Sequence, residues 1–272
     1  MEYIIERQYK FSLGIKELIR YRELFYFFTW RDIKVKYKQA ALGFMWAILQ
    51  PLAMMMIFTL IFSRGLKVSS EGIPYPVFAL SGLIIWNVFS SGLLNSANSM
   101  VSNANIIKKI YFPRLIIPMS SILTALFDFC FALLIYIGVL IYYNHQTDWL
   151  RVLYCLPLSL ILTVTTTLGL GTMLSALNVK YRDFQYVIPF MIQFLLFVNP
   201  VLYSSKIFEN SWMEWIMKLN PVASAINLSR SAFTGNPIDW LSVGLSFGVS
   251  LLLLFIGVYT FRKTEAYFAD LA

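Results

Sequence analysis

The chain has 272 residues, of which 58% are hydrophobic and only 13% charged, with a mean hydropathy of +0.67. Water-soluble domains carry about a quarter charged residues, so a chain this apolar could not cover itself in water, and a soluble fold is excluded. The formal charge of +8 raises nucleic acid as a partner, and the position of that charge along the chain decides the matter.

Hydrocarbon about 30 Å thick takes roughly 20 apolar residues as a helix. Six stretches qualify, at 41–63, 76–100, 116–143, 153–177, 185–203 and 241–261. Ahead of them, residues 12–31 read as an amphipathic helix. Ile15, Leu18, Ile19, Phe25, Tyr26 and Trp30 share one side of a helical wheel, and Lys16, Glu17, Arg20, Glu23 and Arg31 share the other. Arg22, Leu24 and Phe27 break the pattern. Such a helix lies either half in lipid headgroups or against the protein's own cytoplasmic face. It leads into RDIKVKYK, which sets Arg31, Lys34, Lys36 and Lys38 directly against an apolar run continuing to Phe62.

With the N-terminus inside, most of the 22 Lys and Arg residues fall on one side of the membrane. Cytoplasmic loops carry this enrichment, so both termini are expected in the cytoplasm. The charge then reports topology and contact with anionic lipid, not nucleic acid. No signal peptide is expected, because charged and aromatic residues precede the first span.

The first outer loop, SRGLKVSSEGIPYP, is short. The inner loop NANIIKKIYFPRLIIP holds a short helix that Asn103 or Asn105 can cap and Pro113 ends. Another inner loop, NVKYRDFQ, is basic and brief. Between the last two spans lie two short helical patterns, WMEWIMKL and VASAINLSRSAF, separated by Asn220-Pro221. Neither can cross a bilayer. Broken helices at membrane depth stand only against protein or a water-filled cavity, so this segment is either a re-entrant hairpin on the outer side or a pair of helices on the outer surface. No internal repeat is visible. The expectation is an all-α membrane protein of one domain, 1–272: a cytoplasmic or interfacial helix in 1–40, six transmembrane helices within 41–261 with the broken hairpin before the last, and a tail at 262–272.

Little in the chain points to catalysis. Asp128 is the only acidic residue well inside a span; it must face protein or water and is expected to bond to polar groups on a neighbouring helix. The only histidine, His145, stands near Asp148 in an outer loop, a pair read as solvated loop residues. Cys130 and Cys155 belong at different depths and read as free thiols acting as small apolar residues. No metal set and no phosphate-cradling G-x-x-x-x-G-K-[ST] loop is present in the sequence. The chain is therefore expected not to be an enzyme and to hold no cofactor of its own.

Two stripes carry a candidate substrate path. Trp46, Gln50, Met54 and Phe58 recur every four residues on the first span, and Tyr186, Phe190, Gln193 and Phe197 share one face of the fifth. Each mixes aromatic faces with one amide. Sugar rings stack C–H patches on aromatic faces and exchange hydrogen bonds with amides; ordinary helix packing produces the same stripes.

Several segments together resemble a known family. WRDIKVKYKQAALGFMWAILQP, PYPVFALSGLIIWNVFSSG, NANIIKKIYFPRLIIP, LNVKYRDFQY and NPVLYS resemble, in order and spacing, the type-two ABC transporter permeases that export polysaccharide. That family moves lipid-linked O-antigen, capsule or teichoic-acid chains across the bacterial inner membrane. Drug-exporting relatives share the fold but as a rule lack the R-D-x-K-x-[KR]-Y pattern. The resemblance implies a six-span homodimeric subunit paired with two separate ATPase subunits, which bind the ATP and magnesium. It makes the helix before residue 31 a gate helix. It makes Asn105, Ile107, Lys108, Lys109 and Tyr111 part of a coupling helix seated on the ATPase. Arg31, Lys34, Lys36 and Lys38 then have two compatible roles, anchoring the first span to lipid phosphates and meeting the pyrophosphate of a polyprenyl-linked glycan. Arg31 is best suited to the second by its bidentate fork. A drug or lipid exporter, and a membrane-embedded glycosyl- or acyltransferase, are the rival readings.

Overall fold

The computed structural model describes residues 15–38, 45–66, 70–110, 112–181 and 183–265, and every regular element among them is helical. Helices α1 (Ile15–Arg20) and α2 (Arg22–Lys38) precede α3 (Met45–Phe58), which continues as a π-helical stretch, Thr59–Gly65. Next come α4 (Tyr75–Ser102), α5 (Ala104–Ile107), α6 (Ile116–Tyr142), α7 (Trp149–Lys180) and α8 (Phe184–Val198). A short 3-10 helix, Ser205–Phe208, leads to α9 (Trp212–Leu219), α10 (Pro221–Thr234) and α11 (Trp240–Glu265).

Among the described residues, five segments are long and apolar enough to cross a bilayer: Met45–Ser63, α4, α6, α7 and α11. The remaining expected span is shorter than the sequence suggested. Helix α8 has 15 residues, about 22 Å at 1.5 Å per residue, and stops at Val198 instead of running to 203. Pro200 explains the stop. The residue before a proline is pushed out of helical conformation, and Asn199 lies at φ −83°, ψ 147°.

Helix α4 is the axis of the bundle. Its span is 78% buried by the rest of the chain, against 6% for Met45–Ser63. Helices α6 and α7 pack along α4, and α11 packs along α7. Small residues permit these close approaches, as is usual where lipid supplies no hydrophobic drive between helices. A Cβ built on Gly257 of α11 would stand 2.0 Å from the Gly169 carbonyl oxygen of α7, and one on Gly171 would stand 2.5 Å from Ser96 Oγ of α4. Several hydroxyls in the spans bond to their own helix: Thr163 Oγ1 donates to Ser159 O and Thr167 Oγ1 to Thr163 O, each at 2.7 Å. Asn178 ties α7 to α4, donating to Ala97 O at 3.0 Å and Asn98 Oδ1 at 2.9 Å.

At the end expected to be cytoplasmic, α2, α5 and the ends of α4, α6, α7 and α11 share one core. Phe28 of α2 is 2% exposed within it, among Met100, Ile107, Phe112, Leu115 and Phe261. The wheel placed one apolar stripe on a single helix at 12–31; the structure divides it at Tyr21 into α1 and α2 and shows two stripes. Leu18, Leu24, Phe25 and Phe28 turn toward the protein, while Ile19, Tyr26, Phe27 and Trp30 are exposed. The Tyr26 and Trp30 rings stack at 6.4 Å. The helix also runs on to Lys38, so RDIKVKYK is helical throughout. Asn103 does stand at the cap of α5, but its amide donates to Ser99 O at 2.7 Å instead of capping the helix.

At the opposite end, α9 is exposed along Trp212, Trp215 and Ile216. Trp149 and Trp240 are also exposed, a pattern that fits the aromatic belt of a membrane interface. Helix α10 is buried along nearly its whole length. Ser224 near its start bonds Ser242 and Ser246 of α11, at 3.0 and 2.7 Å, and Phe233 near its end meets Tyr136 of α6, ring to ring at 4.6 Å. The surface-lying alternative therefore describes α9 alone, and α10 lies across the bundle. His145 and Asp148 are structural: His145 Nε2 lies 3.1 Å from Phe233 O, and Asp148 caps α7 through Leu150 N at 3.1 Å. Cys130 and Cys155 are free thiols.

Overpacking a tight contact costs about 1–3 kcal/mol. Gly257→Ala should therefore lower the melting temperature of the detergent-purified chain by roughly 5 °C. Gly248→Ala, on the same helix with nothing within 4 Å of the added Cβ, should leave it unchanged. Equal shifts in the two variants would contradict the packing.

Candidate functional site

Helix α2 ends against the flank of α6. There Lys36 Nζ and Tyr37 Oη both donate to the Asp128 carboxylate. A carboxylate on an apolar helix is costly in hydrocarbon, by about 2.5–3.5 kcal/mol at a span's centre, and here two donors from α2 satisfy it. Burial, and then the hydrogen bond to Asp128, raise the Tyr37 phenol above its ordinary pKa, so Tyr37 stays a neutral donor. The expectation that Asp128 bonds across to a neighbouring helix is met.

This cluster forms one wall of a cavity of about 440 Å³ enclosed by the end of α2, the start of α3, and the middles of α4, α6 and α8. Trp46 and Gln50 of α3 line it beside Lys36 and Tyr37. Asn87, Ser90 and Ser91 of α4 face it, and Ile84, Phe129 and Ile192 make it apolar elsewhere. Pro51, buried in α3, has no N–H, so the Ala47 carbonyl loses its helical donor; both residues lie on the wall. The cavity thus offers an aromatic face, two amides, hydroxyls, and a half-exposed ammonium held by a carboxylate. Such a surface suits a hydroxyl-rich ligand that also carries an anionic group.

The residues singled out from sequence separate into those gathered here and those elsewhere. Lys36, Trp46 and Gln50 come together from two groups read as distinct. Arg31 does not join them: it pairs with Asp32 at 2.7 Å and stacks over Phe28 at 4.8 Å. Lys34 lies 5.4 Å over the Trp30 ring, and Lys38 is exposed. Met54 is exposed, whereas Phe58 packs with Phe62, ring to ring at 6.0 Å, below Tyr75 and Phe78. Tyr186, Phe190, Gln193 and Phe197 form one exposed face of α8 outside the cavity.

On the inner loop, Asn105, Lys108 and Lys109 are exposed, and Tyr111 lies outside the described residues. Ile107 differs from its expected role. It is 5% exposed and packs into the chain's own core, so Ile110, 61% exposed, is the apolar side chain presented there.

Sequence reasoning missed Tyr37 and the Asn87, Ser90, Ser91 wall. The signal was available: in WNVFSSG the three polar positions fall at i, i+3 and i+4, one face of a helix. It also passed over Arg230, a cation inside the otherwise uncharged VASAINLSRSAF.

Residues 23–234 match the model of the ABC-2 type transporter family. The chain is 31% identical over 243 residues to an O-antigen export system permease protein, RfbA, of Klebsiella pneumoniae, covering 89% of this chain and 92% of that protein. Another O-antigen export system permease protein RfbA, from Myxococcus xanthus, is 29% identical over 259 residues, 94% of this chain and 98% of that protein. The polysialic acid transport protein KpsM of Escherichia coli is 26% identical over 243 residues, covering 86% and 91% respectively.

The Asp128 cluster should hold the end of α2. A half-exposed ion pair is worth about 1 kcal/mol. Asp128→Asn should therefore raise amide hydrogen exchange across residues 33–38 about fivefold while residues around Phe28 stay protected. Exchanging the charges, Lys36→Asp with Asp128→Lys, should restore protection; unchanged exchange in Asp128→Asn would show that α2 is held by other means.

Proposed function

The chain belongs to the ABC-2 type transporter family, and from that premise we propose that it is the membrane-spanning subunit of an exporter for a lipid-linked cell-surface polysaccharide, such as O-antigen. The observation that carries this reading is the meeting of Trp46, Gln50 and Lys36 in one cavity beside the first span. Stacking and amide contacts suit sugar rings, and an ammonium suits the phosphate that joins glycan to lipid. A polymer must slide, so weak repeated contacts serve it better than one deep charged site.

The setting is the bacterial inner membrane, with both termini in the cytoplasm and energy supplied by a separate ABC ATPase that binds ATP and magnesium. Two copies of the permease face each other across a two-fold axis. The exposed stripes on α3 and α8 support that arrangement, since the single chain leaves them uncovered. Arg31, Lys34 and Lys38 anchor the chain to headgroups, and Lys36 is the cation that meets the substrate's phosphate.

The ATPase acts on this site through one continuous core. Asn105, Lys108, Lys109 and Ile110 present the docking surface. Ile107 beneath them packs with Phe28 and Phe112, whose rings are 5.6 Å apart. A push on α5 therefore reaches α2, and α2 carries Lys36 and Tyr37 at its far end. Moving α2 loosens the Asp128 pair and opens the cavity for the substrate.

Deleting the gene should strip one polysaccharide from the cell surface and leave lipid-linked chains inside, as followed by immunoblot of surface and spheroplast fractions. An unchanged surface glycan with an altered drug or lipid efflux would overturn the reading. Phe28→Ala should leave ATP hydrolysis by the assembled complex intact while export falls about fivefold; equal loss of both, or of neither, would place the coupling elsewhere.

A further inference from the structure

Among the described residues that line the inner cavity beside Asp128, Lys36 and Asp128 are the two that are charged, and they pair with each other. The stretch 39–44, which joins α2 to α3, adds no charged residue. As it stands, the cavity is electrically neutral. A phosphate that approaches Lys36 also approaches Asp128, and two anions brought to one partly desolvated cation repel each other. Gln50, Asn87, Ser90 and Ser91 also line the cavity, and as neutral donors they serve a phosphate oxygen or a sugar hydroxyl alike. Telling a phosphate-linked glycan from a bare one therefore falls to Lys36, and Lys36 is already taken.

The pair is arranged so that it can be undone. Each carboxylate oxygen has its own donor, Lys36 Nζ on Oδ2 and Tyr37 Oη on Oδ1. Departure of the ammonium would leave Tyr37 in place. Burial, and then the bond to Asp128, push the Tyr37 phenol up, so its proton stays available to the carboxylate. The two charges also differ in freedom. The Lys36 side chain is 43% exposed, against 21% for Asp128, and an ammonium on a flexible four-carbon stem can swing where a carboxylate one bond from its helix cannot. Passing the ammonium from carboxylate to phosphate exchanges one charge-assisted bond for another. A phosphate brings several acceptor oxygens to that exchange, and Asp128 keeps one donor throughout.

We propose that Asp128 is a resident competitor for Lys36: it holds the ammonium until the phosphate of a lipid-linked glycan takes it, so that a phosphate-linked chain frees the end of α2 and a bare sugar does not. The proposal rests on the reading of the chain as an exporter of lipid-linked polysaccharide and makes Asp128 the residue that sets selectivity for the link. Lys36 helps to hold the end of α2 against α6. Tying it to a mobile lipid instead of to α6 releases that end, and a neutral ligand leaves it held.

The test is amide hydrogen exchange on the full permease–ATPase complex in phosphatidylcholine nanodiscs, with farnesyl pyrophosphate, farnesol and inorganic pyrophosphate as probes. Protection across residues 45–51, which include Trp46 and Gln50, reads occupancy of the cavity, and exchange across residues 33–38 reads the state of the pair. Farnesyl pyrophosphate should protect 45–51 and raise exchange across 33–38 about fivefold, to the level expected of Asp128→Asn. Farnesol should leave 33–38 unchanged, and inorganic pyrophosphate, with no lipid to hold it at the membrane, should need about tenfold more probe. In Asp128→Asn, half-protection of 45–51 should come at about one-fifth of the wild-type farnesyl pyrophosphate concentration. Unchanged or lowered exchange across 33–38 in the wild type under farnesyl pyrophosphate would overturn the proposal without recourse to any variant. Equal half-protection in the two proteins would also overturn it, as would inorganic pyrophosphate acting as well as the lipid. A rise across 33–38 in phosphatidylglycerol nanodiscs with no probe would assign the exchange to bulk lipid and overturn it too. No protection by any probe, with surface polysaccharide lost on gene deletion, refutes the competitor and leaves the exporter reading intact. The expected exchange with surface polysaccharide unchanged on deletion upholds the swap at Lys36 and overturns the exporter reading alone.

Discussion

Polar groups inside hydrocarbon have no water to bond, and this one constraint shapes most of the structure. The hydroxyls of Thr163, Thr166 and Thr167 on α7 turn back to carbonyls one turn away. Asn178 closes the gap between α7 and α4 with two bonds. Two charges on membrane-depth helices obey the same rule by reaching across to other elements. Asp128 draws Lys36 and Tyr37 from α2, and Arg230 draws the Pro200 and Val201 carbonyls from the break after α8. Each tie fixes an element that apolar packing alone would leave loose: the end of α2 in one case, the laid-over α10 in the other.

These ties are also places where the fold can respond. The bundle of α4, α6, α7 and α11 is closed by small residues that leave no room for adjustment. By contrast, α3 is scarcely buried and α8 packs lightly on α4. The lightly packed α3 and α8, with the end of α2, border the inner cavity. Helix α2 is anchored at two points, Phe28 in the core shared with α5 and Lys36 with Tyr37 at Asp128. A rigid element held at two points transmits displacement from one to the other. On the proposed function, an ATPase seated below α5 would act in this way on a cavity it never touches.

The span pattern was legible because hydrocarbon thickness imposes a length that composition reports directly. Five of the six expected spans agree with the observed helices to within four residues wherever the structure describes them. The span expected at 185–203 overran because an apolar count does not weigh the backbone restriction that Pro200 places on Asn199. The amphipathic helix was legible as a helix but not in its packing: a wheel assumes one medium on each side, whereas α2 faces protein, lipid and water. The family resemblance placed Ile107 on the partner ATPase, where an apolar side chain would serve as an anchor. Its neighbour Ile110 has the same chemistry, and only the turn of α5 decides which of them points inward. Lys36, Trp46 and Gln50 were each noticed, yet nothing in their spacing joins them, since residues 39–44 separate two elements whose meeting depends on Asp128, some ninety residues away. Arg230 escaped attention because its partners are backbone carbonyls, which carry no sequence signal.

The central claim is that the cavity between α2, α3, α4 and α6 lies on the path of the glycan. It is tested most directly by placing a photoreactive phenylalanine analogue at Gln50 and irradiating cells during active export. An analogue at Leu252, exposed on α11, serves as the control. The account predicts adducts with polysaccharide at Gln50 that rise with ATP turnover, and none at Leu252. Normal export with no glycan captured at Gln50, or equal capture at the two positions, would contradict it.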